Sequence, residues 1–132
     1  MASELRVDTL KDASGANSVG LSYVANGSAK QWCNFVGSST TVNDSFNTAS
    51  VTDNGTGDFS PQITNDMSNV NYNIACMIKP TTGQTNQSLN RAASIRYNES
   101  PTAGGYRVIT ITGGVGPEDN DKTMPTIHGD LA

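Results

Sequence analysis

The stretch from Asn71 to Lys79, which reads NYNIACMIK, decides the fold. Every second residue falls on one apolar face of an extended chain: Tyr72, Ile74, Cys76 and Ile78. A period of two residues is typical of a β-strand with one buried face. Pro80 ends the predicted strand, because proline supplies no backbone N–H to a sheet.

Similar strand signals recur at short spacings on both sides of this stretch. They predict strands at residues 31–37, 45–53, 59–63, 93–97, 106–112 and 124–131. The dipeptide Asn54-Gly55 predicts a β-hairpin, and Pro61 predicts an edge strand or a bulge just after it. No window shows a sustained helical period. The pattern therefore predicts an all-β fold, an antiparallel β-sandwich of about six strands.

The first 29 residues differ in kind from the others. Their apolar residues are widely spaced among polar ones, so the segment cannot bury a core of its own. We expect residues 1–29 to form an extended N-terminal docking arm and residues 30–132 to form the sandwich domain. The residues expected to dock onto another protein are Val7, Leu10, Val19 and Leu21. A disordered leader is the alternative.

The composition is lean in core-forming residues and acidic overall. Leu, Ile, Val and Phe make up 24 of the 132 residues, and the formal net charge is -4. A thin core without a large net charge favours a chain that completes its core against copies of itself. The eight Lys and Arg residues are not clustered, which argues against a nucleic-acid partner. Apolar runs are too short for membrane insertion, and the absence of a secretory signal favours assembly in the cytoplasm.

Two cysteines, Cys33 and Cys76, each lie within a predicted strand. The chain has one histidine and no CxxC motif, so no zinc site is expected. The two thiols could form a disulfide. Free, buried thiols are favoured, because a cytoplasmic environment keeps cysteines reduced.

No arrangement of side chains predicts catalysis, a cofactor or a metal site. His128 has no neighbouring nucleophile in the sequence, and no serine lies in a GxSxG frame. Acidic residues could bind a hard cation at two clusters: Asp53 with Asp58, and Glu118 with Asp119 and Asp121. Acidic turn residues usually face solvent or cap backbone amides. Exposed tyrosines could stack on sugars, although aromatic residues in strands usually fill a core or an interface.

Four further motifs frame the chain: SELRVDTL at 3–10, NGSAKQWCNF at 26–35, SFNTASVTDNGTGDF at 45–59 and TIHGDLA at 126–132. In this order they resemble stretches of tail-fibre proteins from tailed bacteriophages, especially marine and cyanobacterial phages. The run VTDNGTGDF is the most specific. The resemblance implies a homotrimeric β-structured particle protein, whose N-terminal segment docks to the virion while its C-terminal domain faces outward.

We therefore expect a non-enzymatic structural protein of the virion, assembled in the host cytoplasm, whose partners are its own copies and other virion proteins. The motifs favour a tail or neck fibre, whereas the absence of a long stem favours a capsid decoration protein. Loops at 81–90 and 113–122 are expected to face outward, with Gln84, Asn86, Glu118, Asp119 and Asp121 as their contact residues. The alternative is a lectin-like tip that binds host-surface glycans or, less favoured, a polysaccharide depolymerase.

Overall fold

A computed structural model describes residues 6–81, 91–112 and 116–132, and it is 54% strand and 6% helix. The predicted all-β, antiparallel fold is confirmed. In chain order the elements are β1 (Thr9–Lys11), β2 (Ser18–Gly20), α1 (Leu21–Gly27), β3 (Ala29–Phe35), β4 (Val42–Phe46), β5 (Thr48–Gly55), β6 (Asp58–Ile63), β7 (Asn73–Lys79), β8 (Arg91–Ile95), β9 (Val108–Thr112), β10 (Gly116–Pro117) and β11 (Lys122–His128).

Two antiparallel sheets form the sandwich. The four-stranded sheet has the order β4-β3-β11-β7. The five-stranded sheet has the order β10-β9-β6-β5, and β8 pairs with the other edge of β9. These strands outnumber the six or so that were predicted, because the sequence pattern did not reveal the short β10 and because one predicted strand is divided.

The division occurs at Asn47, within the strand predicted at 45–53. Asn47 has a φ of 52°, a left-handed conformation that asparagine tolerates better than most residues. Its Nδ2 donates hydrogen bonds to the carbonyls of Lys30 and Asn65 at 2.9 and 3.1 Å. The chain thereby turns from β4, in the four-stranded sheet, into β5, in the five-stranded sheet.

The predicted hairpin joins β5 to β6, but its turn lies two residues later than Asn54-Gly55. Gly55 pairs with Asp58, so the turn residues are Thr56 and Gly57. Asn54 is an extra residue in the ladder, which makes it a β-bulge. Gly57 has a φ of 67°, which suits glycine, and it therefore takes the turn position.

Pro61 lies inside the five-stranded sheet rather than at its edge. It is buried and pairs with Val51 of β5. On its other side the regular pairing with β9 has ended at Phe59, and the Pro61 carbonyl accepts a hydrogen bond from Tyr106 N at 3.3 Å. In an antiparallel strand the N–H of a residue would face the same side as its carbonyl. On that side no carbonyl of β9 lies opposite Pro61 to accept a hydrogen bond, so a proline inside the sheet is tolerated.

The core lies between the two sheets and is thin. Phe35 of β3 and Phe59 of β6 meet edge to face, with ring centroids 5.1 Å apart. The alternation predicted for residues 71–79 is confirmed, because Ile74, Cys76 and Ile78 face inward from β7. In β3, Cys33 and Phe35 are buried. Nine hydrophobic residues are buried among those that the structure describes.

A chain of hydrogen bonds also connects the sheets within this core. The Tyr106 hydroxyl donates to Gln31 Oε1 at 2.8 Å, and Gln31 Nε2 donates to Thr48 Oγ1 at 2.8 Å. Gln31 belongs to β3 and is completely buried, whereas Thr48 begins β5. Burial raises the pKa of Tyr106 far above its ordinary value, so its hydroxyl remains a donor at neutral pH.

Both cysteines are free, and the sheet register keeps their thiols apart. Pro125 of β11 lies opposite Cys76 of β7, and on its other side the register places it opposite Cys33 of β3. Two strand spacings separate the cysteine backbones by about 10 Å, beyond the reach of a disulfide. Burial raises the pKa of Cys33 to about 11 and that of Cys76 to about 12, so both thiols stay protonated at neutral pH.

Removal of one hydroxyl tests the hydrogen-bonded chain. We expect Tyr106→Phe to lower the free energy of unfolding by about 1–3 kcal/mol, because it leaves Gln31 Oε1 buried without a donor. Urea unfolding followed through the fluorescence of Trp32 measures the change. Tyr97→Phe is the control, since Tyr97 is 82% exposed and should change stability by less than about 0.5 kcal/mol. Equal effects of the two substitutions would contradict the prediction.

Candidate functional site

Residues 6–28 form a small N-terminal unit beside the sandwich. Strands β1 and β2 pair as a hairpin, and α1 follows β2 directly and buries none of its residues. Neither the hairpin nor the helix makes extensive contact with a sandwich strand. The described part of the predicted arm is therefore a hairpin and a short helix rather than one extended segment. Its docking role and the domain boundary stay predictions. The structure describes a single copy of the chain, so the homotrimer also stays a prediction.

The hairpin brings two of the four predicted docking residues together. Leu10 and Val19 are directly opposite each other, with exposures of 41% and 38%. They line one shallow pocket with a volume of about 330 Å³. Val7 and Leu21 are partly buried, and the Leu21 amide donates to the Asp8 carbonyl at 3.1 Å. Leu10 and Val19 thus form an apolar surface that the chain itself leaves uncovered.

The loop between β1 and β2 is ordered by Asp12. Its carboxylate accepts hydrogen bonds from Ser14 Oγ, the Ala16 amide and Asn17 Nδ2 at 2.8, 3.0 and 2.6 Å. These bonds, that from Ser14 foremost, lower the pKa of Asp12 below its ordinary value. The loop holds the two strands in the register that aligns Leu10 with Val19.

Helix α1 adds two exposed apolar residues that the docking prediction did not include. Tyr23 is 76% exposed and Val24 is 43% exposed. The sequence did not predict this helix, because it has only seven residues, ends in Asn26-Gly27 and has no side-chain cap at its start. Together Leu10, Val19, Tyr23 and Val24 are the exposed large hydrophobic residues of the N-terminal unit.

A second candidate site is built around Asp58 at the start of β6. Arg107 grips the buried Asp58 carboxylate with two hydrogen bonds of 2.7 and 3.0 Å, and its Nη1 donates to Glu99 at 2.8 Å. Arg96 Nη1 lies 3.3 Å from the same carboxylate. The hydrogen bond that Arg107 donates to Asp58 is the main cause of the raised pKa of Arg107. Two arginines thus surround one buried aspartate.

Arg107 and Glu99 line a polar groove with a volume of about 170 Å³. The groove also contains Ser60, Gln62, Ser100, Thr102, Gly105 and Tyr106. Two positions before Glu99 in the sequence, Tyr97 is 82% exposed, and the Arg96 guanidinium lies 5.5 Å from its ring centroid. A positioned aromatic ring next to hydroxyl, amide and guanidinium groups is a chemically suitable surface for a sugar. Tyr97 was one of several tyrosines considered from the sequence; Tyr106, which lines the groove, is buried.

The three acidic residues predicted to face outward make contacts within the chain. Glu118 pairs with Arg91 at 2.9 Å, and Asp121 pairs with Lys79 at 3.1 Å. The Asp119 carboxylate accepts a hydrogen bond from the Gly57 amide at 2.7 Å. This segment connects β8, β7 and the β5–β6 turn, which is a structural role that sequence spacing could not reveal. Contact with an outside molecule stays a prediction.

The other residues considered in the sequence analysis do not contribute to a candidate site. Gln84 and Asn86 lie outside the described residues. His128 is half-buried and lies opposite Asn73 of β7. In the part of the chain that the structure describes, no group of three His, Cys, Asp or Glu side chains could hold a metal ion. No helix in that part is long and apolar enough to cross a membrane.

The sequence matches no protein-family model and no curated protein, and the fold matches no solved structure. Functional inference for this chain therefore depends on its own residues and their geometry.

The Arg91–Glu118 pair can be tested by a substitution that preserves shape. We expect Glu118→Gln to lower the free energy of unfolding by roughly 3 kcal/mol, because the Arg91 side chain, only 6% exposed, loses its counter-charge. Asp121→Asn is the control: its Lys79 partner is 55% exposed, so the loss should stay below about 1 kcal/mol. Chemical denaturation at neutral pH measures both. Similar small losses would show that Glu118 does not hold this segment in place.

Proposed function

We propose that this chain is a non-enzymatic structural protein of a tailed-bacteriophage virion, attached to the particle by its N-terminal unit. The observation that carries the proposal is the exposed apolar surface of that unit, beside a sandwich with which it makes few contacts. The resemblance of four motifs to tail-fibre proteins supports the same function. The N-terminal unit docks, and the sandwich is displayed outward.

The strength of attachment follows from the number of copies. Full burial of a large apolar side chain contributes about 1.5–3 kcal/mol, and Leu10 and Val19 are already more than half covered. One N-terminal unit therefore binds weakly after the cost of association is subtracted. Several copies on a symmetric particle bind together with much higher avidity. Weak individual contacts and multiple copies suit an appendage that is added to a finished particle.

Docking should fail when the apolar surface of the hairpin is made polar. We expect the double variant Leu10→Ser/Val19→Ser to bind purified virions at least about tenfold more weakly, since a loss of 1.4 kcal/mol is tenfold in affinity. Co-sedimentation of the full-length variant with particles that lack the protein measures the change. The unfolding of the sandwich should be unaffected, because neither residue makes extensive contact with it.

Val70→Ser is the control, since Val70 is an apolar residue that is 51% exposed and lies outside the N-terminal unit. It should bind as the wild type does. Binding of the double variant with unchanged affinity would refute docking through this surface. Cryo-electron microscopy of wild-type particles then separates the two locations: density on the capsid lattice indicates a decoration protein, and density at the tail or neck indicates a fibre.

A second candidate function is glycan binding, which the polar groove and the exposed ring of Tyr97 favour. We expect Tyr97→Ala to weaken saccharide binding about fivefold or more, because an aromatic contact contributes about 1 kcal/mol. Saturation-transfer NMR with glucose, galactose, mannose and N-acetylglucosamine measures the affinities. Tyr23→Ala is the control, because Tyr23 is similarly exposed but lies in α1. If the wild-type chain binds none of these sugars saturably, the candidate is rejected.

A further inference from the structure

The outer face of the four-stranded sheet carries a group of apolar side chains. Phe46 of β4 lies opposite Trp32 of β3, and Trp32 lies opposite Thr126 of β11. Met124 of β11 lies opposite Met77 of β7. Phe46 is 52% exposed and Met77 is 71% exposed, whereas Trp32 and Met124 are half-buried. We call this surface the outer face; its residues are Phe46, Trp32, Thr126, Ala75, Asp44, Asn34, Met124 and Met77.

Large and small residues occupy separate parts of the outer face. One row across the four strands reads Phe46, Trp32, Thr126 and Ala75, and the adjacent row reads Asp44, Asn34, Met124 and Met77. The large residues therefore occupy one diagonal, and the small or short polar residues occupy the other. A second copy turned over about the strand direction places β4 against β7, so that Phe46 meets Ala75 and Met77 meets Asp44. Such a surface is complementary to itself.

Charge follows the same arrangement. Asp44 lies on the β4 side of the outer face, and the opposite β7 side carries two neighbouring lysines, Lys122 and Lys79, of which Lys79 pairs with Asp121. Overlaying β4 of one copy on β7 of another brings the acidic corner of each towards the basic corner of its partner. Opposite charges at the rim favour this arrangement over one that superimposes equal corners.

The accessible area leaves room for such an interface. The chain exposes 8126 Å², whereas a compact monomer of 13.8 kDa exposes about 6,600 Å². The difference is roughly 1,500 Å², and a standard interface covers about 800 Å² on each partner. Part of the excess belongs to the exposed N-terminal unit. The exposed side chains of the outer face, Phe46 and Met77 foremost, are area that a second copy would cover.

From these observations we infer that the outer face is an interface with a second copy of this chain, packed sheet against sheet about a twofold axis. This inference goes beyond the proposed function, because it uses a surface remote in sequence from the docking residues. The face by itself predicts a dimer rather than the trimer that the resemblance implies.

Sedimentation equilibrium of the full-length chain, from about 1 μM to about 1 mM, tests the inference. We expect a monomer–dimer equilibrium, with the emission of the single tryptophan, Trp32, shifting to shorter wavelength as the dimer covers it. Met77→Glu should raise the dissociation constant at least about tenfold, because it places a second negative charge beside Asp44 of the partner. Met77 is exposed in the single chain, so this substitution should leave folding intact.

Two full-length variants serve as controls. Val70→Glu adds the same charge at a residue that is 51% exposed and outside the strands, and it should leave the dimer unchanged. Leu10→Ser/Val19→Ser should also leave it unchanged, so failure of docking and failure of dimerisation are distinguishable. A chain that stays monomeric at every concentration, a trimer, or a dimer insensitive to Met77→Glu would each overturn the inference.

Discussion

The edge-to-face contact between Phe35 and Phe59 is the constraint on which the sandwich depends. Each ring comes from a central strand of its own sheet, and both are completely buried. With so few buried apolar residues around them, the two rings fix how closely the sheets approach. This distance between the sheets also allows the two hydrogen bonds that connect Tyr106 to Gln31 and Gln31 to Thr48. The polar groups of these residues find partners only because both sheets lie within hydrogen-bonding distance.

Backbone contacts at the sandwich end near residues 118–120 compensate for the thin core. The Gly37 amide donates to the Asn120 carbonyl at 2.9 Å, and a Cβ at Gly57 would lie 2.5 Å from the Thr110 carbonyl. Such approaches require glycine, because any side chain would displace the facing backbone. Arg91 then binds Glu118 and Asn120 together, at 2.9 and 3.0 Å. Hydrogen bonds and close backbone packing thus replace part of the apolar burial that a sequence with more hydrophobic residues would supply.

The sequence predicted the fold wherever side-chain alternation was strong. The predicted strands at 31–37 and 71–79 agree closely with β3 and β7, because a period of two with one apolar face specifies both strand and register. It failed where a single backbone conformation decided the outcome, as at Asn47, whose left-handed φ divides one predicted strand between two sheets. Hairpin chemistry was recognised, but its exact turn depended on the bulge at Asn54, which only cross-strand pairing determines.

Candidate sites were harder to predict, because they depend on contacts between distant residues. In the sequence, Asp58 was considered as an acidic turn residue that could bind a cation. In the structure it forms ion pairs with Arg96 and Arg107, which lie about 40 and 50 positions later in the chain. The acidic residues Glu118 and Asp121 look like solvent-facing loop residues in the sequence, but each has a partner on another strand. Leu10 and Val19 were expected to dock onto another protein; the structure leaves both partly exposed, and their docking stays a prediction.

The distribution of apolar residues argues for a protein that works through its surfaces. Few hydrophobic side chains are buried among the described residues. Phe46, Met77 and Tyr97 are exposed on the sandwich, and Leu10 and Tyr23 are exposed on the N-terminal unit. Large exposed side chains risk aggregation unless a partner covers them. Because they lie on separate surfaces, one partner cannot cover them all. The proposed assembly, in which copies contact each other through one surface and a particle through another, would cover both sets of side chains.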